Sequence, residues 1–179
     1  MYKISVLFKK IQSYGFLKEN RLILLMRVCI GGTFDFLHKG HKHLIDTAFS
    51  AAGKNGSVFI GIASEDISKE KKIKNSFIVR KKIVEEYLIK KGYTVRAEIK
   101  PIFDKYGPTV DREFDAIVVS PETLHVAKEI NEKRTQNGKN PMKILEISFI
   151  LAEDGKKISS SRIRNKEIDK DGNVLNGKI

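Results

Sequence analysis

The chain has 179 residues, of which 41% are hydrophobic and 31% are charged, and its formal net charge at pH 7 is +12. This length and composition indicate one globular domain with a sizeable core. A chain with one cysteine cannot form a disulfide framework, and no apolar run in it approaches the length of a membrane span. We therefore expect a cytoplasmic protein with no membrane partner.

The excess of positive charge is compatible with two classes of function. A basic surface is typical of proteins that bind nucleic acid, and it also suits an enzyme whose substrates are phosphates. The lysine-rich stretch, with Lys69, Lys71, Lys72 and Lys74, lacks the interleaved aromatic residues that base stacking requires. We therefore expect no nucleic-acid partner.

Residues 1–25 do not fit the pattern of the chain that follows. They lack the ordered basic, apolar and small-residue regions of a signal peptide. The regular pattern begins at Met26, so we expect residues 1–25 to be a dispensable extension and residues 26–168 to form the domain. Residues 169–179 are expected to be a loose tail.

The stretch from Val28 to His41 is predicted to be a strand, a glycine turn and the start of a helix. The apolar run ends at Gly31 and Gly32, and one face of the helix, which opens near Lys39, is apolar, with Leu44, Ile45, Ala48, Phe49 and Ala52. Glycines let the backbone approach a bound group closely, and a helix start directs N–H donors and a positive dipole at it. This arrangement favours phosphate.

The remaining elements follow in alternation. Strands are predicted over residues 57–62, 95–102, 115–119 and 142–147, and helices at 83–88 (ended by Gly92), from Pro121 to about Gly138, and from Ser159. This order predicts an α/β, Rossmann-like, doubly wound fold whose five-stranded parallel sheet has helices on both faces. Ligands bind such sheets beyond the carboxyl ends of the strands, where residues 31–35 and 120–122 are expected.

The two histidines His38 and His41, three residues apart, admit a second interpretation as metal ligands. No third ligand stands at a recognisable spacing, because Cys29 lies within the predicted strand. The stretch Gly-Gly-Thr-Phe-Asp-Phe-Leu-His-Lys-Gly-His at residues 31–41 resembles the first signature of the nucleotidyltransferases that carry a His-x-Gly-His motif. Residues 158–164, Ile-Ser-Ser-Ser-Arg-Ile-Arg, resemble their second signature, with Ser161 in place of threonine.

Three further stretches resemble the archaeal type of phosphopantetheine adenylyltransferase. They are Val-Val-Ser-Pro-Glu-Thr at 118–123, Ile-Asn-Glu-Lys-Arg at 130–134 and Leu-Ala-Glu-Asp-Gly at 151–155, and the likeness runs from about Met26 to about Gly172. The resemblance implies the nucleotidyltransferase fold and the transfer of AMP from ATP to 4′-phosphopantetheine. FMN, nicotinamide mononucleotide and glycerol phosphate remain as alternative acceptors, and an RNA-binding module remains as the alternative of another class.

The resemblance also implies roles for individual residues. His41 is expected to contact the α-phosphate and His38 the β- or γ-phosphate, with Thr33 and the backbone of Gly32 to Phe34 positioning the reacting phosphate. The triphosphate is expected to bind Ser159, Ser160, Ser161 and either Arg162 or Arg164. Lys71 or Lys72 is expected to neutralise charge between the two substrates, and the spacing leaves open which.

Mg²⁺ is expected to enter the site together with ATP, bridging its phosphates. The sequence has no carboxylate cluster that indicates a metal site formed by the protein itself. Asp35 is expected to brace the turn, and His43 and His125 are interpreted as surface residues. Related enzymes also carry an arginine at the position of Arg80, and a functional role and a surface role both stay open for it. The sequence carries no signal for an oligomeric state.

Overall fold

The computed structural model of the protein describes residues 25–67 and 73–175. The elements are β1 (Arg27–Gly32), α1 (Lys39–Ala52), β2 (Ser57–Ala63), α2 (Phe77–Lys91), β3 (Ala97–Ile102), β4 (Ala116–Val119), α3 (Leu124–Gln136), β5 (Lys143–Glu146) and α4 (Ser160–Arg164). Residues 1–24 lie outside the described part, so the expectation that the extension is dispensable stays a prediction.

The five strands form one parallel sheet in the order β3-β2-β1-β4-β5. The predicted architecture is therefore confirmed. The strand order reverses between β1 and β4, and the loops that follow these two strands open on either side of that point. A crevice at such a reversal is where open α/β sheets bind their ligands.

Alternate residues of β1 pack on opposite faces of the sheet, as the pleat of a strand requires. Val28 and Ile30 belong to the larger core cluster, which α1 and α2 cover, whereas Cys29 belongs to the cluster covered by α3. Helices thus lie on both faces, as expected. No helix among the described residues has both the length and the apolar character needed to cross a membrane.

Two element boundaries differ from those predicted. The helix expected from Pro121 begins at Leu124, because residues 120–123 form a turn closed by the Thr123 N–H donating to the Ser120 carbonyl at 3.0 Å. Proline suits the second position of such a turn. The strand expected from Val95 begins at Ala97, because the Arg96 guanidinium donates to the Gly53 carbonyl at 2.6 Å and holds residues 94–96 in a 3-10 turn.

The segment expected to be loose from residue 169 is instead hydrogen-bonded to the domain as far as Leu175. Ile168, which is 0% exposed, pairs with Val174 in an antiparallel bridge, and we call residues 167–175 the C-terminal hairpin. Gly172, at a φ of +88°, packs so closely that a Cβ there would lie 2.7 Å from Ile158. The Lys170 carbonyl accepts the Lys39 N–H at 3.1 Å. The hairpin therefore borders both signature stretches.

Ending the chain at Ile168 should lower the thermal midpoint and the activity. The truncation removes the carbonyl acceptors of Lys39 N–H and Glu153 N–H and uncovers Ile168, and burial of an isoleucine side chain contributes about 1.5 to 3 kcal/mol. Thermal unfolding measures the loss. A chain that ends at Leu175 is the control, since it keeps all of these contacts. Equal midpoints for the two proteins would restore the interpretation of the tail as loose.

Candidate active site

The turn between β1 and α1 (residues 33–38, the β1–α1 turn) has an unusual backbone at its second residue. Phe34, with its side chain fully buried, has a φ of +53°, a region that bulky residues rarely occupy. Gly31 and Gly32, expected to make the turn, are instead the last residues of β1 and have no positive φ. Gly32 is needed for space, because a Cβ there would lie 2.9 Å from the Phe34 ring.

The rings of His38 and His41 stack with their centroids 3.9 Å apart and their planes 19° from parallel. His38 is the N-cap of α1, and its Nδ1 accepts the main-chain N–H of His41 at 3.4 Å. His41 Nδ1 lies 2.8 Å from the carbonyl oxygen of Phe36, and the Phe34 ring packs against His41 at 5.0 Å. Both imidazoles are therefore held in fixed orientations by the turn that precedes the helix.

These contacts assign the protons of the two rings. A carbonyl oxygen only accepts, so His41 carries its proton on Nδ1 and its Nε2 is a donor only when the ring is cationic. His38 accepts at Nδ1, so its neutral ring carries the proton on Nε2. Burial lowers the pKa of His41 to about 4 against the opposing effects of Phe36 and Asp35, and burial with the nearby His41 and Lys42 lowers the pKa of His38 to about 3.

The start of α1 offers fewer free donors than the sequence suggested. The Lys39 N–H donates to Lys170 and the His41 N–H donates to His38, so two groups of the first turn already have acceptors. The dipole of the helix still presents its positive end here. Electrostatic attraction for an anion at this position thus comes from the dipole and side chains more than from these two N–H groups.

Asp35 joins three segments that are far apart in sequence. Its carboxylate, 1% exposed, accepts from the Arg164 guanidinium at 2.9 Å, from the Asn75 N–H at 2.9 Å and from the Lys74 N–H at 3.2 Å. Burial alone raises the pKa of Asp35, but these hydrogen bonds outweigh it and the net pKa is lowered. Asp35 braces the turn, as expected, and it also binds the second signature stretch to the first.

The serines of the second signature lie at the start of α4. The Ser159 hydroxyl accepts the Arg162 N–H at 3.4 Å and is the N-cap, while Ser160 and Ser161 form the first residues of the helix. Arg162 pairs with the carboxylates of Asp154 and Glu167. Both arginines expected near the triphosphate are therefore engaged with carboxylates, Arg162 with these two and Arg164 with Asp35.

Comparisons with known proteins agree with this arrangement. Residues 29–166, which include both signatures, match the family model described as cytidylyltransferase-like. A protein named phosphopantetheine adenylyltransferase from Methanosarcina mazei is 41% identical over 149 residues, which is 83% of this chain and 96% of that one. The protein of that name from Archaeoglobus fulgidus is 41% identical over 152 residues, 84% of this chain and 100% of that one. The chain belongs to the phosphopantetheine adenylyltransferase family.

A solved structure from Archaeoglobus fulgidus, described as a protein of unknown function, is similar to this member of the family with a TM-score of 0.63. It is 38% identical in sequence and covers 68% of this chain and 89% of its own. The five-stranded parallel sheet and the family match over residues 29–166 confirm the nucleotidyltransferase fold expected from the two signatures.

Three expectations about individual residues of this family member have different outcomes. Lys71 and Lys72 lie outside the described residues, so their roles stay predictions. Arg80, for which a surface role and a functional role stayed open, is 0% exposed, because it donates to main-chain carbonyls that the sheet and the β1–α1 turn bring around it. That contact joins residues 33 and 80, and no local sequence pattern predicts it. Cys29 is buried as expected, and burial raises its pKa to about 12.

Proposed function

We propose that this protein transfers AMP from ATP to 4′-phosphopantetheine, giving dephospho-coenzyme A and pyrophosphate. The observation that supports this most strongly is the 41% identity, across 149 residues, to a relative named for that activity. The ion pair of Asp35 with Arg164 supports it further, because it brings the two signature stretches into one site at the reversal of strand order. Residues 26–168, completed by the C-terminal hairpin, are the proposed catalytic unit.

The chemistry asks the protein for alignment and charge stabilisation. A phosphate monoester is already a competent nucleophile, so the reaction needs no activated serine or cysteine. The acceptor phosphate attacks the α-phosphorus of ATP, the bond to the bridging oxygen breaks, and pyrophosphate leaves with that electron pair. Catalysis then rests on holding the two substrates in line and on donors aimed at the oxygens where charge develops.

The two histidines suit different parts of this task. We propose that His38, whose neutral Nε2 carries a proton, donates to the β- or γ-phosphate as ATP binds. His41 is proposed to donate to the α-phosphate. Because its pKa in the free protein is about 4, it takes up the Nε2 proton from solvent when the negative charge of bound ATP raises that pKa. Thr33 and the backbone of Gly32 to Phe34, fixed by the buried Phe34 ring, are proposed to position the reacting phosphate.

The triphosphate is proposed to lie along the start of α4. Ser160 and Ser161 provide hydroxyl groups there, and Ser159 contributes while it caps the helix. Arg164 is proposed to keep its ion pair with Asp35 while it adds positive charge near the triphosphate. Arg162 is proposed to contact a phosphate by exchanging one of the carboxylates of Asp154 and Glu167 for it, which leaves the other carboxylate as its partner.

Mg²⁺ is proposed to arrive with ATP rather than at a site of the protein's own. Within residues 25–67 and 73–175 no group of three or more histidine, cysteine or acidic side chains is placed to hold a metal ion. Such an ion would supply positive charge for the leaving pyrophosphate. Lys71 or Lys72 remains the proposed source of charge neutralisation between the substrates.

An acceptor panel tests the proposed function. Release of pyrophosphate from ATP and Mg²⁺ should be rapid with 4′-phosphopantetheine and absent with FMN, nicotinamide mononucleotide and glycerol phosphate. Dephospho-coenzyme A should be identified as the product by mass. Turnover of another acceptor while phosphopantetheine stays inert would overturn the substrate assignment and leave the family unaffected.

A further inference from the structure

Arg80 is a fully buried arginine whose guanidinium joins three separate segments of main chain. Its Nη1 donates to the carbonyls of Thr33 at 2.7 Å and Ala63 at 2.8 Å, and its Nε donates to the carbonyl of Asn75 at 3.0 Å. The segments are the β1–α1 turn, the end of β2 and the residues that precede α2. One side chain therefore fixes the spacing of three backbones at the carboxyl edge of the sheet.

The contacts of Arg80 hold the first half of the β1–α1 turn at two points. The Thr33 carbonyl is held directly. Two residues further on, Asp35 is held through Asn75, which donates its main-chain N–H and its side-chain amide to the Asp35 carboxylate. Phe34, with its positive φ, lies between these two fixed points. The strained conformation of Phe34 is one that persists only when its surroundings impose it.

The other fully buried arginine provides a comparison within the same chain. Arg134, 1% exposed, donates from Nε to the carbonyl of Asn140 and from Nη1 to the carbonyls of Thr109 and Arg112, at 2.7 to 2.8 Å. The pattern of donors matches that of Arg80. Arg134, however, packs on the face covered by α3, away from the β1–α1 turn, and it also pairs with Glu113.

Arg80 keeps one donor unsatisfied, which distinguishes it further. Its Nη2 is buried and has no hydrogen-bond partner among the described residues. A buried donor without a partner costs about 1 to 3 kcal/mol. If Arg80 served stability alone, a side chain without the unpaired Nη2 donor would serve better. The three converging carbonyls, however, require the rigid planar guanidinium of an arginine.

We propose that Arg80 is a positioning residue for the reaction of this site: by holding Thr33 directly and Asp35 through Asn75, it fixes the turn on which the reacting phosphate lies. The inference rests on the proposed adenylyl transfer. It predicts that losing the guanidinium slows the chemical step much more than it weakens substrate binding, because a displacement of about 1 Å in a reacting geometry costs about 100-fold in rate.

The test compares Arg80→Lys with the matched control Arg134→Lys. Lysine keeps the charge and loses the fork in both proteins, so both should unfold at lower temperature than the wild type. Below both midpoints, Arg80→Lys should show a kcat reduced about 100-fold, while the Kd for ATP measured by calorimetry changes far less. Arg134→Lys should keep the wild-type kcat. Equal losses of kcat in the two variants, or no loss in either, would overturn the proposal.

Further measurements keep the proposal testable if Arg80→Lys does not fold. Asn75→Ala changes a side chain that is only partly buried and removes its amide contacts with Asp35, so it should lower kcat in the same direction by a smaller factor. Arg80→Ala should regain part of its kcat when ethylguanidinium is added, which a purely structural loss would not do. A full kcat in Asn75→Ala, with no rescue of Arg80→Ala, would contradict the positioning role.

One measurement is independent of the substrate assignment. Hydrogen exchange at the Lys74 and Asn75 amides, followed without substrates, should be faster in Arg80→Lys than in the wild type and unchanged in Arg134→Lys. A wild type that is inactive with phosphopantetheine would reject the proposed function. The role of Arg80 would be rejected if Arg80→Lys showed the same amide exchange as the wild type and the same kcat as the wild type with whichever acceptor reacts.

Discussion

Replacing His41 with alanine is expected to lower kcat by about 100- to 1000-fold, the usual effect of removing one preorganised donor from a site where charge develops. His41 is held by Phe36 through Nδ1 and by the rings of Phe34 and His38, so its Nε2 is the one ring nitrogen left to meet a substrate. Its contribution belongs to the transition state, and the Kd for ATP should therefore change far less than kcat.

The control for this prediction lies on the same helix. His43→Ala removes an imidazole two residues away from His41, outside the signature, and should keep the wild-type kcat. His38→Ala should raise the apparent KM for ATP as well as lower kcat, because His38 is a donor while neutral and acts already in the bound ground state. A His41→Ala protein that binds ATP poorly yet turns over normally at saturation would contradict the assignment.

The pH dependence of kcat checks the same residue in another way. With a pKa of about 4, His41 is neutral in the free protein at pH 7, and it needs a proton on Nε2 to donate to the α-phosphate. Negative charge at that phosphate raises the pKa of His41 in the complex. The protonated form is then the active one, so kcat of the wild type should decrease as the pH rises through that pKa. In His41→Ala this decrease should be absent.

The strands and helices of this domain could be predicted because their signal is local. The apolar stripe of α1 and the buried strands are periodic within a dozen residues, and Ser159 is recognisable as an N-cap from its place before the last helix. The parallel sheet with helices on both faces then followed from the alternation of strands and helices. The two signature stretches, by their resemblance to a known family, indicated where the site lies.

The supporting contacts of the site could not be predicted, because they join residues that no local pattern connects. The partner of Arg164 is Asp35, 129 residues away, and the burial of Arg80 depends on carbonyls from three segments. The turn was predicted at Gly31 and Gly32, since glycine is the usual residue of tight turns, whereas the positive φ lies at Phe34. Phe34 has the positive φ because its ring is buried, and the position of that ring depends on tertiary packing.

Asp35→Asn is expected to reduce the free energy of unfolding by about 3 to 5 kcal/mol, as removing one partner of a buried ion pair does. The asparagine keeps the size of the side chain but loses the charge opposite Arg164, and its amide group faces the N–H donors of Lys74 and Asn75. Asp154→Asn is the matched control. It also removes an aspartate from an arginine, but Arg162 keeps Glu167 as a second carboxylate, so the loss should be smaller.

The effect of pH fixes the sign of the Asp35 contribution. Because the folded protein lowers the pKa of Asp35, the stabilisation is fully present above the pKa of an unfolded aspartate, about 3.9, and is lost as the pH falls through the lower folded-state pKa. Denaturant unfolding of the wild type and of Asp35→Asn should therefore differ most at neutral pH and converge in acid. A difference that stayed constant down to acid pH would mean that the lost stability comes from packing rather than from the carboxylate, and the proposed link between the two signature stretches would be wrong.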